Sequence, residues 1–190
     1  MLDFKSRCPY DAEAPTFLQE PGDLDKLFER IVTDPELAVF QPRAIVRPNA
    51  TGESEDEGPW IVVLDNFLSE DECDVLIRLG GELGYERSMD VGEKLFDGSY
   101  GSVESKDRTS SNAWCVDKCW EDDVNTRVHD RLEKLTGIDR MNYEYLQLLS
   151  YEEGEFYGQH HDFIDYQVNR PQGVRVSSRA YLRRVVPTCI

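Results

Sequence analysis

The stretch YEEGEFYGQHHDFID, residues 151–165, holds two of the three histidines of the chain, with an aspartate directly behind them. On a β-strand, residues i and i+2 point to the same face, so His160 and Asp162 are expected to share one face while His161 turns away from it. One imidazole and one carboxylate are two thirds of a 2-His-1-carboxylate site for non-haem iron. A third ligand is expected further along the chain, yet no histidine follows His161.

The composition is that of an acidic globular protein. The 190 residues carry a net charge of −17 at pH 7, and 39% of them are hydrophobic. This charge disfavours nucleic acids, whose phosphates need clustered Lys and Arg, and it disfavours anionic membrane surfaces. No run approaches the ~20 apolar residues of a membrane span. The N-terminus shows no apolar core of a signal peptide.

The five cysteines leave at least one thiol unpaired within the chain. Cys115 and Cys119 form a C-x3-C pair, which fits a local disulfide, half of a zinc site or two free thiols. No second Cys/His pair lies at zinc-finger spacing, so structural zinc is disfavoured. A disulfide would suit an oxidising compartment.

The hydrophobic pattern divides the chain into a leader and a main domain. A short amphipathic helix is predicted over residues 23–33. Residues 41–59 hold prolines, glycines and an acidic run, so they are predicted to be a linker or exposed loop. Residues 1–58 therefore form the predicted leader with its acidic linker, and residues 59–190 form the predicted main domain.

The main domain is predicted to combine helices with a strand-rich second half. Strands are predicted over residues 60–67 and 143–151, and a helix between them ends near Leu83. A second helix is predicted to end at Gly137. His129 lies in that helix, where a surface or packing role is expected. This order of elements predicts an α+β domain in which helices pack on one sheet of a barrel.

Four motifs in register carry a family resemblance. They are DNFLSEDECDVLI (residues 65–77), RTSS (108–111), LEKLTGI (132–138) and LQLLSYEEGEFYGQHHDFI (146–164). Over residues 60–175 the chain resembles the prolyl 4-hydroxylase family, whose members are iron- and 2-oxoglutarate-dependent dioxygenases. The resemblance implies a double-stranded β-helix, or jelly roll, with supporting helices.

The resemblance also implies the roles of individual residues. His160 and Asp162 would be two iron ligands, and Tyr151 would donate a hydrogen bond to 2-oxoglutarate. Tyr157 is expected to pack or to position its neighbours, and His161 to be a bystander. The implied reaction hydroxylates proline in a peptide or protein substrate and forms succinate and CO2. It uses Fe(2+), 2-oxoglutarate, O2 and L-ascorbate. The implied compartment is the lumen of the endoplasmic reticulum, although no signal peptide is visible.

The resemblance ends abruptly near the C-terminus. Gly173 and Arg175 match the start of the family's next segment, but the pattern is lost after Val176. The distal histidine and the basic residue that anchors 2-oxoglutarate are not found. Candidates to replace that anchor are Arg175, Arg179, Arg183 and Arg184. The expectation is a C-terminally truncated jelly roll that lacks later core strands and is incomplete for catalysis.

Two other functions remain open from the sequence. One is a non-catalytic remnant that binds a peptide or protein through residues 108–114. The other is a metal enzyme with two protein ligands, in which chloride or water takes the place of the missing histidine.

Overall fold

The computed structural model describes residues 20–48, 58–96, 100–140 and 143–160, together with the backbone of residues 179–181. Its helices are α1 (Asp23–Thr33), the 3-10 helix η1 (Pro35–Phe40), α2 (Glu70–Leu83), α3 (Lys118–Glu121) and α4 (Asp123–Thr136). Its strands are β1 (Pro42–Val46), β2 (Ile61–Leu64), β3 (Glu86–Arg87), β4 (Asp90–Lys94), β5 (Tyr100–Val103), β6 (Ser111–Trp114), β7 (Gln147–Ser150) and β8 (Arg179–Tyr181). The mixture of helices and small sheets confirms the predicted α+β class. None of the helices that the structure describes has both the length and the apolar character needed to cross a bilayer.

The chain forms two compact units, one of residues 1–69 and 127–142 and the other of residues 70–126 and 143–190. In the first unit, α1 and η1 are followed by an antiparallel hairpin of β1 and β2. The apolar stripe predicted for α1 ends in a buried Ile31. The core around it is completed by Leu27, Phe28, Leu37, Phe40, Val62, Leu64, Phe67 and Leu135. The predicted division of the chain after residue 58 stays a prediction.

The first unit corrects one prediction. Residues 41–59 were expected to form a linker, but β1 occupies Pro42–Val46 and pairs with β2. Pro42 is compatible with this strand because it is the first residue of an edge strand, where a missing N–H costs no ladder hydrogen bond.

The second unit is built on a four-stranded sheet with the order β3-β6-β7-β8. Strands β6 and β7 are antiparallel, whereas β7 and β8 are parallel. Helix α2 packs on β6 and β7. Strand β7 is the centre of this unit, because its Leu148 and Leu149 are both buried. Strands β4 and β5 form a separate hairpin.

Strand β7 is shorter than predicted. A strand was expected over residues 143–151, but the ladder includes only Gln147–Ser150. Three successive residues of β7 are buried. A strand with neighbours on both sides and cover on its faces has a continuous apolar run rather than an alternating one.

Cys115 and Cys119 form a disulfide, which selects one of the three states that the sequence left open. The bond joins the end of β6 to α3, and both cysteines are buried. Cys73 of α2 is disulfide-bonded as well.

Two adjacent glycines near the end of α2 have different surroundings. A Cβ atom at Gly80 would overlap the hydroxyl group and ring of Tyr85, whereas a Cβ at Gly81 would meet nothing within 4 Å. The Tyr85 side chain thus fills the space that Gly80 leaves open. Burial in this position raises the pKa of the Tyr85 hydroxyl above its ordinary value.

The two glycines give a matched pair of substitutions. Gly81→Ala should stabilise the protein by up to about 1 kcal/mol, because alanine favours a helix over glycine. Gly80→Ala gains the same propensity but displaces Tyr85, and such overpacking costs about 1–3 kcal/mol. Urea unfolding followed by circular dichroism measures the change in unfolding free energy for each variant. Equal midpoint shifts in the two variants would contradict the packing of Tyr85 on Gly80.

Candidate functional site

The site is built where the loop before β6 pairs with the segment after β7. Thr109 N donates to Phe156 O over 2.8 Å, and Phe156 N donates to the Thr109 hydroxyl over 2.7 Å. Gly158 N donates to Asp107 O over 2.6 Å. These bonds close an antiparallel bridge that sets Arg108 opposite Tyr157. The RTSS motif and the segment leading to the predicted metal residues are therefore one structural element.

Arg108 places a buried positive charge at the centre of the site. The residue is 6% exposed, and its Nη1 donates to Met89 O over 3.0 Å. The same nitrogen lies 3.6 Å from Asp90 Oδ1, an ion pair that offsets part of the cost of burying the charge. The guanidinium carbon lies 4.6 Å from the centroid of the Tyr157 ring, which adds a cation–π attraction. The Nε atom has no hydrogen-bond partner within the part of the chain that the structure describes.

Tyr157 connects this charge to the first predicted metal ligand. Its ring stacks on the imidazole of His160, with centroids 3.7 Å apart and an interplanar angle of 18°. Its hydroxyl donates to Asp90 Oδ1 over 3.4 Å. The sequence-based expectation that Tyr157 packs or positions its neighbours agrees with these contacts.

The hydrogen bond of His160 defines the tautomer of its neutral ring. Nδ1 lies 2.8 Å from Gly158 O. A carbonyl oxygen only accepts, so Nδ1 carries the proton and Nε2 of the neutral ring keeps its lone pair. Metal-binding histidines are usually held in this way, with one nitrogen donating to an outer partner. The side chain is exposed. His160 therefore fits the role of an iron ligand.

The other predicted site residues are only partly described. Asp162 and His161 lie outside the described residues. His160 follows the bridge at Tyr157 and is not part of a strand, so the shared face of His160 and Asp162 stays a prediction. Tyr151 is half-buried directly after β7. Among the described residues, no three or more His, Cys, Asp or Glu side chains are grouped as a metal site.

Two residues of interest were missed or only partly understood from the sequence. Asp90 contacts both Arg108 and Tyr157, yet it lies in a polar segment without a motif, so no sequence signal identified it. His129 is fully buried in α4. Of the two roles expected for His129, packing is confirmed and a surface position is wrong.

Comparisons with known proteins give several relatives from Arabidopsis thaliana. Probable prolyl 4-hydroxylase 7 is 36% identical over 120 residues, 60% of this chain and 34% of the relative. Prolyl 4-hydroxylase 5 is 32% identical over 141 residues, 68% of this chain and 46% of the relative. Probable prolyl 4-hydroxylase 10 is 31% identical over 162 residues, 85% of this chain and 47% of the relative.

The chain belongs to the prolyl 4-hydroxylase family. It spans between a third and a half of the length of these relatives. A scan against protein-family models gave no match.

Ser110 of the RTSS motif has a structural partner. Ser110 Oγ donates to Ser88 Oγ over 3.1 Å, and Ser88 N donates to Ser110 O over 2.9 Å. Both serines are fully buried. The pair joins the residue that precedes β6 to the residue that follows β3.

The hydrogen bond between the two buried serines can be tested without an activity assay. Ser88→Ala or Ser110→Ala should each cost about 1–2 kcal/mol of unfolding free energy, because each leaves a buried hydroxyl without its partner. The double variant should cost clearly less than the sum, since it removes both hydroxyls. A double-mutant cycle by urea unfolding measures the coupling. Strict additivity would show that the two hydroxyls do not interact.

Proposed function

We propose that the chain is the iron-binding part of a 2-oxoglutarate-dependent dioxygenase that hydroxylates peptidyl proline. The observation that carries this proposal is His160, an exposed histidine whose Nδ1 is held by the Gly158 carbonyl. Family membership supports the reaction class. We also propose that the chain contributes strands to the jelly roll that the resemblance implies.

Each residue has one proposed task. His160 and Asp162 would hold Fe(2+), and Tyr151 would orient 2-oxoglutarate by a hydrogen bond. When bound, the iron would supply the activation of O2, with succinate and CO2 as co-products and L-ascorbate keeping the metal reduced. Arg108 and the strand that follows it would contact the proline-containing substrate. The position of Tyr151 next to a buried strand suits this task, because a fixed backbone limits the orientations of its side chain.

An assay of 2-oxoglutarate decarboxylation tests the proposal. The assay contains Fe(2+), ascorbate and a proline-rich peptide. Two proteins are compared, because no histidine follows His161 to complete the ligand set. One is this chain, and the other joins its residues 1–175 to the C-terminal segment of prolyl 4-hydroxylase 5 from Arabidopsis. Peptide-dependent turnover is expected in the joined protein.

Substitutions in the joined protein identify the ligands. His160→Ala or Asp162→Ala should lower turnover by about 100-fold or more, since losing a ligand costs more than the 10–100-fold that follows loss of its outer partner. His161→Ala is the matched control on the adjacent histidine and should keep most of the activity. Equal losses in His160→Ala and His161→Ala would contradict the ligand assignment.

A second candidate function is a peptide-binding module without catalysis. It is favoured by one observation, the Arg108 guanidinium, whose buried Nε has no hydrogen-bond partner within the described residues. Fluorescence anisotropy with the same peptide separates the two functions. Retained binding that depends on Arg108, with no turnover in either protein, would support the module.

We also propose an oxidising compartment, such as the lumen of the endoplasmic reticulum. The support is the disulfide between Cys115 and Cys119, together with the disulfide-bonded Cys73. Such bonds are rare in reducing compartments.

Tryptic mapping tests the disulfide that supports this compartment. Lys118 lies between the two cysteines, so trypsin divides the loop into peptides 109–118 and 119–127. In protein from a secretory host, alkylated before digestion, mass spectrometry should find these peptides linked. Reduction should separate them. Finding both cysteines alkylated without reduction would contradict the bond.

A further inference from the structure

The ring stack between Tyr157 and His160 is more than incidental packing. The two rings are 3.7 Å apart and 18° from parallel, so they share a broad face. An exposed histidine without such a contact samples several orientations about its two side-chain torsions, and holding one orientation costs conformational entropy. The stack restricts the plane of the imidazole before any ligand arrives.

Tyr157 is itself held by a different part of the chain. Its backbone is bridged to Arg108, whose guanidinium lies 4.6 Å from the ring centroid. Asp90 contacts both side chains, at 3.4 Å from the Tyr157 hydroxyl and 3.6 Å from Arg108 Nη1. Arg108 is fixed in turn by its bond to the Met89 carbonyl. The ring that supports His160 is therefore anchored to the start of β4 as well as to its own segment.

Two independent contacts then act on the same imidazole. The Gly158 carbonyl places the proton on Nδ1, and the Tyr157 ring fixes the plane in which that bond lies. Together they set the direction of the Nε2 lone pair. We infer that Tyr157 is a positioning residue that pre-orients His160 for metal binding. This inference rests on the proposed function, in which His160 is an iron ligand.

The metal-free protein gives the first test. In 1H–15N correlation spectra of histidine rings, with His160→Gln used to assign the signals, the carbon-bound protons of His160 should be shifted upfield by the Tyr157 ring current. The ring should be the tautomer protonated at Nδ1. Unshifted His160 protons in the wild-type chain would overturn the inference without the use of any variant.

Two substitutions separate the ring from the hydroxyl. Tyr157→Phe keeps the stack, so it should preserve the ring-current shift. Tyr157→Leu removes the stack and should abolish the shift and mix the tautomers. Phe156→Leu is the matched control, since it removes a neighbouring aromatic side chain that is 50% exposed. It should leave the His160 signals unchanged.

Titration with Co(2+) alone gives the second test. Tyr157→Leu should weaken binding by about 10-fold or more, as for other outer partners of metal ligands, while Tyr157→Phe and Phe156→Leu should stay close to wild type. Equal affinity in wild type and Tyr157→Leu would overturn the inference, even if the metal site is real. If the wild type binds no Co(2+) but shows the upfield shift that Tyr157→Leu removes, the orienting role stands and the proposed metal site fails.

Discussion

The backbone pairing between residues 107–109 and 156–158 is the contact on which the site depends. It joins segments 47 residues apart in the chain, through Thr109, Phe156 and the bond from Gly158 to Asp107. Closing such a loop costs chain entropy, which these hydrogen bonds and the buried cation–π contact of Arg108 help to offset. Without the pairing, Arg108 would not meet Tyr157, and the ring that stacks on His160 would lose this anchor.

The helices were the part of the fold that the sequence specified best. Helices α1, α2 and α4 follow their apolar stripes, and Gly137 ends α4 with a positive φ of 71°. The strands were less predictable, because a strand's burial depends on its neighbours. The buried run in β7 depends on two adjacent strands and on α2, which no local pattern reveals. Strand β1 was not predicted because residues 42–59 contain prolines and glycines, yet an edge strand tolerates Pro42.

The site could be predicted in part. A spacing of two residues and the surrounding motifs were enough to single out His160, Asp162 and Tyr151 as candidates. The support of His160 by Tyr157 could not be found in this way, because Arg108 and Asp90 contact Tyr157 from distant parts of the chain. A motif identifies Arg108, but only the fold shows that its charge is buried against an aromatic ring. Asp90 has no local signature at all, since an aspartate in a polar segment is usually solvated.

The packing of Tyr85 on Gly80 has a consequence for how this part of the family can diverge. The ring occupies the volume in which the Cβ of any other residue at position 80 would lie. The two positions therefore cannot change size independently. Among homologues that share helix α2, a larger residue at position 80 should be accompanied by a smaller one at position 85, so the pair should co-vary across five residues of sequence. Such covariation would show that the steric contact between positions 80 and 85 has limited the sequences of these homologues.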